Sequence, residues 1–87
     1  MLFLVIETYR GGNAVAVYQR FRERGRMMPV GVEYRGSWVT TDLGRCFQIM
    51  ECANRNLLDD WMRNWSDLVD FEVVPVMTSA EAAAKNT

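Results

Sequence analysis

Apolar and polar positions along the chain alternate between strand and helix spacings. Residues 2–8 are apolar on both parities, with Leu2, Leu4 and Ile6 on one face of an extended strand and Phe3, Val5 and Glu7 on the other. Gly11-Gly12 breaks that strand, and Asn13 is a fitting helix N-cap. Ala14, Val17, Tyr18 and Phe21 then recur at i, i+3, i+4, i+7, the buried stripe of a helix over about 14–24. Gly25 supplies its stop, and the arginines beside it suit the negative helix end. After a loop containing Pro29, residues 32–41 read as a second strand, in which Gly36 signals a bulge or a close backbone approach. Asp42-Leu43-Gly44-Arg45 is a hairpin turn into a third strand, 46–52.

The strongest pattern follows. Leu57, Leu58, Trp61, Met62, Trp65 and Leu68 mark one face of a second helix opened by Asn54. Asp59 and Asp60 fall early in it, where the positive helix end favours them. A fourth strand over 69–77 contains Pro75, which donates nothing to a ladder and so places this strand at a sheet edge.

The order is βαββαβ. Two βαβ halves with right-handed crossovers predict a ferredoxin-like α+β fold: a four-stranded antiparallel sheet in the order 4-1-3-2 with both helices on one face. The prediction divides the chain into one domain over residues 1–78 and a polar tail over 79–87 that holds a short helix or frays.

The helices cover one sheet face, yet the strands do not alternate apolar with polar. Both parities are apolar in the first strand, in the third (Phe47 and Ile49 against Cys46 and Met50) and in the fourth (Phe71 and Val73 against Val74 and Val76). An apolar face of that size calls for a cover. The same face of a second copy is the simplest one, giving a two-fold dimer that closes a barrel. Aspartate at Val74 or Val5 is expected to dissociate it.

Composition narrows the chemistry. The 87 residues contain no histidine, which excludes His-based triads, imidazole proton shuttles and mixed His/Cys zinc sites. Lys85, in the tail, is the lone lysine, so a buried Schiff-base lysine is not expected. Six residues of one strand would hold Cys46 and Cys52 roughly 20 Å apart, too far for a disulfide. Reduced thiols and a cytoplasmic location follow. The apolar start, Met1 to Ile6, is too short for a signal peptide or a membrane span. No cofactor, metal or membrane partner is expected.

The net charge is −1, but the basic groups gather in residues 1–45 and the acidic ones in 46–87. The halves complement each other, and a nucleic-acid partner is not expected. Arg20, Arg22, Arg24 and Arg26 split across two helix faces and read as a solvated, salt-bridged surface.

The strings Arg24-Gly25-Arg26, Gly36-Ser37-Trp38-Val39 and Arg45-Cys46-Phe47-Gln48-Ile49-Met50-Glu51, with Trp61, Trp65 and Phe71-Glu72-Val73-Val74-Pro75-Val76, resemble a bacterial family of short domains of unknown function. That family is grouped with the dimeric α+β barrels. The resemblance runs from Met1 to about Ala84 and implies a ferredoxin-like subunit and a sheet-to-sheet homodimer. It carries over no catalytic residue.

Polar groups on apolar strands are the best site candidates. Glu7, Gln48 and Glu72 would converge with Tyr34 and Trp38 in the barrel interior, where a desolvated glutamate can act as an acid or base. The plainer reading pairs Glu7 and Glu72 with Arg10, Arg35 or Arg45 at a rim. Trp61 and Trp65 are core anchors, or else line an aromatic pocket between helix and sheet. Gly11-Gly12-Asn13 is a capping turn before it is an anion site. The preferred function is a homodimeric barrel that binds a small apolar or aromatic molecule. The alternative is a cofactor-free monooxygenase- or isomerase-like enzyme acting on an aromatic or polyketide-like substrate through Glu7, Tyr34, Trp38 or Trp61. That alternative calls for a pocket of about 300 Å³ or more around a buried, weakly paired titratable group.

Overall fold

The computed structural model describes residues 1–86. Strands β1 (Leu2–Tyr9), β2 (Glu33–Val39), β3 (Arg45–Glu51) and β4 (Val69–Val76) form one antiparallel sheet in the order β2-β3-β1-β4. This is the expected order read from the other edge, and Pro75 lies in an edge strand. The topology is ferredoxin-like.

Local chemistry sets the helix ends. The Asn13 side chain accepts the Ala16 N–H at 3.1 Å and opens α1 (Ala14–Arg24). Gly25, at φ 68°, closes it by donating its N–H to the Phe21 carbonyl. Asn54 caps α2 (Arg55–Arg63) through the Asn56 N–H. The polar tail holds a third helix, α3 (Ser79–Lys85), whose capping box joins Thr78 and Glu81 reciprocally. The register of β2 slips between Tyr34 and Gly36, the expected bulge. The Trp38 indole lies over Gly36, where an added Cβ would come within 3.1 Å of the ring.

Two expectations about the second helix need correction. It ends at Arg63 and does not run on to Leu68. Residues 64–68 continue in tight turns, with Asn64, Trp65 and Leu68 each donating to the carbonyl three residues back. That tightening returns the chain to β4 while Trp65 stays buried. Asp59 and Asp60 lie beyond the first turn and pair along their own helix, with Arg55 and Arg63. Complementarity between the two halves of the chain rests instead on Arg20, which grips Asp67 through both oxygens at 2.6 and 2.7 Å, on Arg10 with Asp70 at 2.9 Å, and on Arg35 with Glu51.

Phe3, Val5, Met50, Leu58, Trp61 and Val69 form the centre of the core between sheet and helices. Val5 is fully buried there, so it does not belong to the open face, and aspartate at Val5 would break the fold before it tested any dimer. The opposite face presents Leu2, Leu4, Ile6, Phe47, Ile49, Val74 and Val76, all half-buried. Trp38, beside Phe47 on that face, is 63% exposed. Among the described residues no helix is long and apolar enough to cross a membrane.

Candidate functional site

The polar centre of the molecule lies under the helices. β1 carries Glu7 on the same face as Phe3, Val5 and Tyr9, opposite Cys46 in β3 and Phe71 in β4. Glu7 is 5% exposed and Gln48 6%. The Gln48 Nε2 donates to Glu7 Oε2. Its Oε1 is sealed from solvent and has no hydrogen-bond partner among the described residues. Leaving an acceptor in that state costs about 1–3 kcal/mol.

Gln48 lines a cleft of about 180 Å³ between sheet and helices, together with Tyr18, Phe21, Trp61, Trp65 and Arg26 and the strand residues Tyr9, Ser37 and Cys46. Arg26 sits between two residues in the left-handed region, Gly25 at φ 68° and Met27 at φ 58°, so the chain doubles back there. The reversal points the Arg26 carbonyl inward. It accepts the indole N–H of Trp61 at 2.8 Å and of Trp65 at 3.1 Å. The guanidinium stacks over the Tyr34 ring at 3.8 Å and near Phe21 at 5.1 Å. Among the described residues it pairs with no carboxylate.

Burial pushes the Glu7 carboxyl up to about 7, against the Gln48 hydrogen bond and the Arg26 charge, which favour the ionised form. The Cys46 thiol is raised to about 11 by burial and then by the neighbouring Glu7 charge. Burial also raises Tyr9, helped by its contact with the Tyr18 hydroxyl.

Of the six candidates, Glu7, Gln48 and Trp61 come together here. Tyr34 stands at the rim, its ring under Arg26 and its hydroxyl 2.6 Å from Ser37. Trp38 and Glu72 lie on the opposite sheet face, Glu72 exposed beside Ile6. The six therefore do not converge in a barrel interior. With both parities apolar, the helices took the face that bears Glu7 and Gln48. Nor does Glu7 reach a rim arginine: Arg10 is held by Asp70, Arg35 by Glu33 and Glu51, and Arg45 stacks over Phe47. Glu51 is correspondingly held below the usual carboxylate range by the Arg35 hydrogen bond.

Sequence reasoning missed Arg26, which it grouped with the surface arginines. The available signal was its place just after a helix-stopping glycine, where a side chain is free to turn inward. It also passed over Tyr18 and Cys46 as ordinary stripe and strand residues. Gly11 and Gly12 form a single 3₁₀ turn with Arg10, in keeping with a capping role. Among the described residues no group of three acidic or thiol side chains is placed to hold a metal.

The four-stranded sheet with α1 and α2 on one face defines a ferredoxin-like α+β fold. Solved structures of that fold are similar to this chain. One, described as the crystal structure of an antibiotic biosynthesis monooxygenase, aligns with a TM-score of 0.52 at 19% identity, covering 90% of this chain and 98% of its own. A second, a protein from Agrobacterium tumefaciens, aligns with a TM-score of 0.51 at 11% identity, covering 91% and 96%. At these identities the likeness is one of fold. Among curated proteins nothing matches. The chain belongs to the family described as Domain of unknown function (DUF3303), which it matches over residues 1–87.

Proposed function

We propose that this protein binds a small aromatic molecule, one ring in size, in the cleft between helices and sheet. The observation that carries this reading is an aromatic-walled cleft of about 180 Å³ whose lining includes the buried Gln48 and the arginine Arg26. An apolar cavity of about 150 Å³ accommodates a benzene ring, so the volume suits one ring and not a fused polycyclic system. Trp61, Trp65 and Tyr18 offer faces and edges for stacking, and Gln48 and Arg26 offer polar contacts that fix orientation. Calorimetric titration with toluene and with p-cresol tests it. Saturable binding that a Trp61→Ala substitution weakens at least tenfold supports the cleft; no heat with either ring at any pH removes it.

In the same reading the open sheet face is covered by a second copy of the chain, making a homodimeric α+β barrel. Seven half-buried apolar residues and the exposed Trp38 support this. They form one continuous apolar face across β3, β1 and β4, with Trp38 at its β2 edge.

A cofactor-free enzyme acting on an aromatic substrate is the second reading. One observation favours it: a buried carboxyl that titrates close to neutrality. Two observations weigh the other way. The Gln48 amide stands between Glu7 and the cleft, and the volume is below the 300 Å³ or so expected of a catalytic pocket. Oxygen uptake in the presence of a hydroxylated ring substrate, abolished in Glu7→Gln, would establish it over simple binding.

A further inference from the structure

Among the described residues that line the cleft, Arg26 is the one that carries a charge, and no acidic side chain lines it. The guanidinium lies 5.1 Å from the centre of the Phe21 ring and 3.8 Å over that of Tyr34. Phe21 lines the cleft, and so does Ser37, whose hydroxyl is 2.6 Å from that of Tyr34. The Arg26 charge also acts on the thiol of Cys46, a third lining residue. The charged end of the side chain, and not only its backbone, therefore stands beside the opening.

That charge has no counter-ion in contact. Arg20 is the other cation near a lining ring, 5.8 Å from Trp65, and Asp67 holds it through two hydrogen bonds. The half-buried Arg26 side chain makes neither an ion pair nor a hydrogen bond among the described residues. Its charge reaches Glu7, but Glu7 is engaged by the Gln48 amide and does not line the cleft. A cation held partly out of water without a partner gains from an anion brought to it. The Tyr34 ring occupies the face of the guanidinium. The N–H donors lie in its plane, a fork that matches the two oxygens of a carboxylate.

We infer that the ring bound in this cleft carries a carboxylate and that Arg26 is the specificity-determining residue that receives it. The aromatic lining takes the ring, the guanidinium takes the two oxygens, and no lining acid repels them. This rests on the cleft being a ligand site and adds the charge of the substituent it reads: a one-ring carboxylate is selected over its neutral amide. The selection is separable from the fold. Trp61 and Trp65 hold the backbone carbonyl of Arg26, which any residue at that position keeps.

The test is calorimetry with four probes: 4-methylbenzoate, its amide 4-methylbenzamide, toluene, and acetate, which has the charge without the ring. At about pH 6 the carboxylates are ionised while Glu7 keeps its proton. A charge-assisted hydrogen bond corresponds to roughly a tenfold to hundredfold preference. The wild-type protein is expected to bind 4-methylbenzoate at least about tenfold more tightly than the amide, toluene or acetate. Arg26→Met is expected to bring 4-methylbenzoate down to the level of the amide, and Arg26→Lys to keep part of the preference. In ¹H–¹⁵N spectra the Arg26 Nε–H resonance should shift on adding 4-methylbenzoate. Equal binding of 4-methylbenzoate and 4-methylbenzamide, or a preference that survives in Arg26→Met, overturns the inference, and toluene binding then leaves the cleft standing. Acetate that binds as tightly as 4-methylbenzoate places the anion on an exposed arginine and overturns it as well. No binding of any ring overturns both readings. The wild-type series and the Arg26 resonance decide the matter even where a variant fails to fold.

Discussion

The Trp61 indole donates its N–H to the carbonyl oxygen of Arg26 at 2.8 Å. The bond ties the last turn of α2 to the short reversal after α1, whose Arg26 lines the cleft. Trp65, one turn on, donates to the same oxygen at 3.1 Å. The two tryptophans thus anchor the core and also shape the site.

Removing the second anchor should be costly. Trp65 is 5% exposed, and Trp65→Ala is expected to lower unfolding free energy by about 3–5 kcal/mol, most of it from the cavity left behind. Denaturant titration at neutral pH measures it. A loss under about 1 kcal/mol would place Trp65 outside the core.

Glu7 should make the fold less stable as pH rises. Its carboxyl holds a proton up to about 7 in the folded protein, well above an ordinary glutamate. The folded state therefore binds more protons than the unfolded chain between roughly pH 4.5 and 7, and stability falls across that window before levelling off above it. The full drop is about 3 kcal/mol at 1.4 kcal/mol per unit. Glu7→Gln is expected to match the wild type near pH 4.5, to be the more stable protein at pH 8, and to flatten the slope between. Equal slopes in a pH series of urea melts would show that Glu7 ionises as an ordinary surface carboxylate.

Asp67 acts in the opposite sense and lower on the scale. The Arg20 hydrogen bonds hold its carboxyl down at about 2. The pair supports the folded state above the ordinary aspartate range, and that support is lost as pH falls through the folded value. Arg20→Met should return the Asp67 titration toward the ordinary range. The ion pair itself should contribute little to stability at neutral pH, because its Asp67 end is largely open to solvent. NMR titration of the Asp67 carboxyl resolves this; a titration that stays near 2 would assign the effect to another group.

Val74 tests the cover proposed for the open sheet face. It is half-buried on the face away from the helices, opposite Leu4 in β1. Val74→Asp is expected to halve the sedimenting mass without unfolding the subunit, since the change lies outside the helix-side core. A wild-type protein that sediments as one chain would refute the barrel.

Much of this was legible in the chain. Parity alone placed Glu7 with Phe3 and Val5 and placed Glu72 with Val74 and Val76, because a strand turns successive side chains to opposite faces whatever surrounds it. Capping chemistry at Asn13 and Asn54, the bulge at Gly36 and the edge position of Pro75 are also local, and each stands where the residues indicate. The end of α2 at Arg63 was not legible, since Trp65 and Leu68 keep helical spacing while the backbone tightens to meet β4.

What the sequence by itself determined is which side chains share a face in β1, β3 and β4; in β2 the bulge before Gly36 puts Tyr34 and Trp38 on opposite faces although their parity is the same. Only the tertiary structure decided which face the helices would cover, because both parities are apolar and burying either one gains similar free energy. That choice put Glu7 and Gln48 under a lid and left Trp38 and Glu72 outside it. It also drew Arg26 in from the basic run, through a chain reversal held by two indoles more than thirty residues away. A contact between such distant parts of the chain leaves no period or spacing to read, so the cleft appears only once the chain has folded.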